Sequence, residues 1–142
     1  MKILKINGLK KGWCDRDNLL LYSSFQILVD FVEKEKPAEI VYWSSSQKHR
    51  HVWKEIKELY NWWTSTRPAR IDPIDDKNLK RPAIKFKKIT GTKLYSLLDY
   101  DRKKYASYDA AIKKSWKLEK EWEKEDQKNL HRLINIRQYL WT

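Results

Sequence analysis

At 142 residues, with 41% apolar, 35% charged and 13% aromatic side chains, the sequence describes a single globular domain and excludes a disordered tail. A formal net charge of +12 points to anionic partners, while the single cysteine, Cys14, excludes an internal disulfide framework and suits a reducing cytoplasm. The opening MKILKINGLKKGW has no extended apolar run or small-residue cleavage site, and no run in the chain approaches the roughly 18 apolar residues of a membrane span.

Three glycines and four prolines favour long helices over a many-turned β fold. Taken in chain order, KILKI (2–6) reads as a short strand. Asp15 or Asp17 then caps a first helix over about 16–36, closed by Pro37, whose apolar face is Leu21, Phe25, Leu28 and Val32. The β-branched and aromatic AEIVYW (38–43) reads as a buried strand. Ser44 to Ser46 offer caps for a second helix over about 47–66, with Val52, Ile56, Leu59 and Trp63 on one stripe. On an ideal helix this places Trp63 in the core and leaves Trp62 and Trp53 at the two edges. Residues 67–80 are rich in Pro, Asp and Arg and read as irregular.

A β-hairpin over about 83–97 follows, with Thr90-Gly91-Thr92 as its turn; Lys85 and Lys87 share one face, and Ile84, Phe86 and Lys88 the other. A closing helix over about 107–140 would run about 50 Å if straight, and it offers a surface for a homodimer. The fold expected is therefore predominantly helical α+β: three helices and a small sheet or hairpin in one domain (1–142), with a basic insertion at about 77–105. Between Lys77 and Lys120 stand fourteen Lys or Arg against four acids, a net +10. Such a field attracts nucleic acid, nucleotides or an acidic protein, although a lysine-rich solubilising surface has the same composition.

Two clusters are candidates for function. Arg67 and Arg70 emerge beside Trp62, and helix conformation is disfavoured at Arg67 because Pro68 follows. Two guanidinium forks beside an exposed indole suit a nucleotide, base on ring and phosphate on guanidinium. The plain alternative is capping of helix carbonyls. The second cluster is the hairpin itself, where Lys85, Lys87, Lys88 and Tyr95 form a basic ribbon able to follow a phosphate backbone, or simply blunt a sheet edge. On the closing helix, Glu119, Asp126 and Arg137 fall on the face that carries Ile112, Leu118, Trp122, Leu130, Leu133 and Leu140. Charges there call for partners, with Arg67, Arg70, Arg132 and Arg137 available as structural ion pairs. The competing reading is a carboxylate metal site of Glu119, Glu123 and Asp126. No catalytic residue, cofactor or metal site is assigned. His49 and His51 point to different sides of their helix, and the glycines form no phosphate-binding loop.

The runs GWCDRDNLLLYSSFQILVDFVEKE (12–35), YNWWTSTRPARIDP (60–73) and EDQKNLHRLINIRQYLWT (125–142) resemble small uncharacterised accessory proteins of tailed bacteriophages. The resemblance omits the lysine-rich stretch between 77 and 105. It implies action in the cytoplasm of an infected bacterium, brings no activity, and gives weight to a role against host defence. The expected function is then a non-enzymatic protein binding an anionic ligand, either nucleic acid or a nucleotide-type signalling molecule. The alternative is an inhibitor docking its basic aromatic surface on an acidic host protein, and a metal-dependent hydrolase or nuclease ranks last.

Overall fold

The first helix, α1 (Arg16–Lys34), forms where apolar residues recur at helical spacing, and it buries Leu21, Phe25, Leu28 and Phe31. The computed structural model describes residues 3–9 and 11–140. Asp15 stands at the N-cap in extended conformation, but its side chain makes no capping bond. Lys36 takes the left-handed φ of 49°, and Pro37 opens a one-turn helix, α2 (Pro37–Ile40). This corrects the expected strand over 38–43. Proline's fixed φ suits the first helical position, and Trp43 is held by donating its indole N–H to the Pro37 carbonyl at 2.9 Å. The other expected strand, 2–6, is irregular over residues 3–6, and Lys2 lies outside the described residues.

The next helix, α3 (Gln47–Asn61), is capped as the serine run suggested: Ser46 accepts from the His49 N–H at 3.1 Å. It buries Val52, Ile56 and Leu59 and then widens into a π turn, Trp62–Thr66. In that turn the Arg67 N–H donates to the Trp62 carbonyl at 2.8 Å, five residues back. The helical run ends at Thr66, as expected, although Arg67 at its C-cap keeps helical φ −62° and ψ −45° before Pro68.

A 3₁₀ turn (Pro73–Asp75) precedes the antiparallel pair β1 (Phe86–Lys88) and β2 (Tyr95–Leu97). The last helix, α4 (Ala106–Ile136), ends in a second 3₁₀ turn (Arg137–Tyr139). The protein is thus a helical α+β fold, with a fourth, short helix beyond the three expected.

The chain divides into two compact units, one made of the residues up to Arg70 and those from Glu123, the other running from Ile71 to Trp122. The second is wider than the insertion read at 77–105, because it takes in the 3₁₀ turn and the first half of α4. Among the described residues, all eleven buried core hydrophobes belong to the first unit, including Phe25, Leu28, Ile56 and Leu59 at 0% exposure. Each such side chain stabilises the fold by about 1.5–3 kcal/mol through burial. In the second unit Ser115 is buried and donates to Asp72 at 2.9 Å. There Tyr100 meets Tyr105 and Tyr108 edge-on.

Candidate functional site

The two tryptophans stand at the start of the π turn with their expected roles reversed. Trp62 is 7% exposed and belongs to the core, whereas Trp63 is only partly buried. The buried arc of this segment is therefore broader than a single ideal stripe, and both indoles lie against Phe25. Trp63 stacks on it at 4.6 Å and 12°, while Trp62 meets it tilted at 5.2 Å. The Trp62 Nε1 hydrogen is buried without a hydrogen-bond partner among the described residues. An indole so enclosed cannot offer its face to a base.

Arg67 and Arg70 do lie together beside the two indoles, but they face carboxylates. Arg67 donates from Nε to both Asp126 oxygens at 3.3 Å, and from Nη2 to Oδ2 at 3.0 Å. Its Nη1 donates to the Tyr22 hydroxyl at 3.1 Å, and its guanidinium stands 4.8 Å over Trp63. Arg70 reaches Asp126 Oδ1 at 2.7 Å and Glu125 Oε2 at 2.5 Å, with its guanidinium 5.7 Å over Trp62. Burial works against the charge of Arg67, yet the bonds to Asp126 and Tyr22 raise its pKa above the ordinary arginine value. Two cations and two carboxylates leave the cluster neutral. A ligand phosphate would have to displace Asp126 from two arginines to enter.

The structural pairing expected on α4 thus holds at Asp126 with Arg67 and Arg70. Glu119 and Arg137, assigned the same role, are exposed and make no ion pair among the described residues. A helical wheel drawn through α4 puts them on the apolar face, but only Leu133 and Ile136 of this helix are deeply buried hydrophobes. The other interhelical pair is one the sequence did not announce. Arg132 donates to both Glu55 oxygens, at 2.8 and 2.9 Å, and to Glu58 at 2.6 Å. Those bonds hold the Glu55 carboxyl below the usual carboxylate range and raise Arg132. Among the described residues no three His, Cys, Asp or Glu side chains gather as a metal site. A groove of about 630 Å³ runs along the second half of α4, lined by Lys124, Lys128, His131 and Arg132 with Glu123. Its arginine is the one already committed to Glu55 and Glu58.

The hairpin is different. Every residue from 83 to 99 is exposed, and 83–98 holds Lys85, Lys87, Lys88 and Lys93 without a single acid. None of these lysines has an ion pair among the described residues. The register pairs Phe86 with Leu97, Lys87 with Ser96 and Lys88 with Tyr95. Directly opposed residues of an antiparallel pair project to one face. Phe86, Leu97, Lys88 and Tyr95 therefore share one face, and Lys87 and Ser96 the other. The Leu98 N–H donates to the Lys85 carbonyl at 2.8 Å and the Ile89 N–H to the Leu94 carbonyl at 3.0 Å, extending the ladder by a residue at each end. Gly91 takes φ 78° in the connecting turn, a conformation that glycine adopts without strain. The turn closes as the Thr92 N–H donates to the Ile89 carbonyl at 3.1 Å.

The predicted ligand residues thus separate into two sets. Trp62, Arg67 and Arg70 form an internal cluster in the first unit, and Lys85, Lys87, Lys88 and Tyr95 stand together on an open ribbon in the second. Sequence reasoning left Phe86 and Leu97 out of the candidate set, although they are 63% and 66% exposed. The alternation at Ile84 and Phe86 placed a ring on the ribbon. It did not say that this face lacks a covering layer.

No protein-family model, curated protein or solved structure matches the chain.

Proposed function

We propose that this is a non-enzymatic, phage-type accessory protein that binds nucleic acid through the basic hairpin at 83–98, in the cytoplasm of an infected bacterium. One observation carries the reading: this segment presents four lysines and no acid, with every side chain exposed. Uncompensated surface cations release counterions when they meet a phosphate backbone, and that release supplies sequence-independent affinity. A small nucleotide asks for a concave pocket, whereas the hairpin is open on both faces. The cluster of Arg67 and Arg70 with the indoles is filled by Asp126 and Glu125. Support therefore moves from a sequestered nucleotide to a polymer. No helix among the described residues is long and apolar enough to cross a membrane.

The acidic-protein reading retains one favourable observation, the exposed Phe86 and Leu97, since apolar anchors within a charged rim are typical of protein interfaces. Competition separates the two. Labelled oligonucleotide should bind the protein and resist polyglutamate at equal charge, with affinity falling steeply as salt rises. Lys85→Glu with Lys87→Glu should abolish binding at moderate salt. Binding that survives this charge reversal, or that polyglutamate displaces completely, would move the function to an acidic protein.

A further inference from the structure

The hairpin's two rings point to a narrower ligand class, and this step rests on the nucleic-acid reading above. We infer that the hairpin binds single-stranded nucleic acid, stacking unpaired bases on Phe86 and Tyr95 while lysines hold the intervening phosphates. Phe86 stands opposite Leu97 and Tyr95 opposite Lys88, so the two rings are diagonal neighbours on one face of the ribbon. Diagonal positions lie about 7–8 Å apart. Aromatic side chains can bridge that distance, but these two rings make no contact with each other, which leaves each open to a base. Both rings are 63% exposed, and neither takes part in a ring contact among the described residues.

The duplex alternative asks for different side chains. A two-stranded ribbon can enter a major groove, but it reads base edges there with hydrogen-bonding groups. On this face only Lys88 and the Tyr95 hydroxyl could do so, beside Phe86 and Leu97. Rings and an aliphatic side chain instead suit bases already out of the helix, each of which offers a π face whatever its identity. The charge pattern agrees. Lys88 sits within the ring face and Lys87 on the opposite face, so cations flank the stacking positions as phosphates flank bases. A membrane surface fits less well. Apolar side chains fall on both faces, Phe86 and Leu97 on one and Ile89 and Leu94 on the other, so neither could be buried in lipid without leaving the other in water.

The test is fluorescence anisotropy with the full chain and three probes of about a dozen nucleotides: oligouridine, oligothymidine and a self-paired duplex. Each is titrated over a series of salt concentrations. Single strands should bind more tightly than the duplex, and the two single-stranded arms show whether ribose or deoxyribose is preferred. Phe86→Ala with Tyr95→Ala should weaken single-strand binding by about tenfold or more while leaving its salt slope unchanged. Lys87→Glu should lower the slope instead. Because these side chains are exposed, the variants should unfold at the parent's denaturant midpoint. Duplex binding as tight as single-strand binding, or an unchanged affinity in the double-ring variant, would overturn the inference and leave nucleic-acid binding standing. Absence of binding to all three probes would overturn both.

Discussion

Asp126 shows how one side chain decides what its neighbours can do. Its two oxygens serve Arg67 and Arg70 together, and each of the three side chains retains less than a fifth of its exposure. Removing this partly buried acceptor takes the Asp126 carboxylate from Arg67 and leaves Arg70 with Glu125, which costs more than an exposed pair is worth. Asp126→Ala should therefore lower unfolding free energy by about 2–3 kcal/mol, whereas Arg137→Ala on the exposed side of the chain's end should stay within about 0.5 kcal/mol. Urea denaturation measures both, and an Asp126→Ala protein as stable as the parent would mean that the cluster does not hold the helices. Glu55 adds a pH dependence of known sign. Hydrogen bonds from Arg132 depress its folded pKa below the unfolded value near 4.3. The stabilisation is thus complete above that value and is lost as pH falls through it and then through the folded pKa. Denaturation midpoints should drop on acidification across this window, and Glu55→Gln should be less stable at neutral pH with a shallower acid limb. An unchanged acid limb would show that Arg132 is not the pair that matters.

Among the elements, the long helices were legible because apolar spacing of three and four residues leaves no other regular structure. The Ser46 cap was legible because a hydroxyl before a periodic run has a direct use for an orphan N–H. Where reading failed, it failed for local reasons. Residues 38–43 have strand composition, but Pro37 starts a helical turn and no described strand lies beside them to complete a ladder. The tryptophan pair was misassigned because a helical wheel assumes a single narrow buried stripe, and here both indoles pack against Phe25. The partner of Asp126 was foreseeable, since a charge on an apolar face needs one and few arginines could supply it. The bond of Arg132 to Glu55 joins positions 77 apart, and no periodicity carries that information. The hairpin's existence and turn followed from alternation and Gly91. Its full exposure did not, because exposure depends on what the rest of the chain leaves uncovered.

At the scale of the molecule, stability and proposed function are carried by different parts of the chain. The buried core hydrophobes lie in the unit built on α1, α3 and the end of α4, and the hairpin contributes none of them. A ribbon of two three-residue strands, exposed throughout, gains little from burial and would be marginal by itself. Such an element can be removed cleanly because its ends meet: the Leu98 N–H bonds the Lys85 carbonyl at 2.8 Å, so a few Gly and Ser residues can replace 86–97. Closing so short a loop changes chain entropy by only about 1 kcal/mol or less. The excised protein should keep the parent's near-ultraviolet circular dichroism, dominated by its tryptophans, and unfold within about 1 kcal/mol of it. It should lose nucleic-acid binding entirely, since Lys87, Lys88, Phe86 and Tyr95 leave together. If binding persists, the cations along α4, Lys124 and Lys128, become the interface to test. If instead the tryptophan signal collapses, the hairpin is part of the fold, and its exposed rings are held for stability rather than for a ligand.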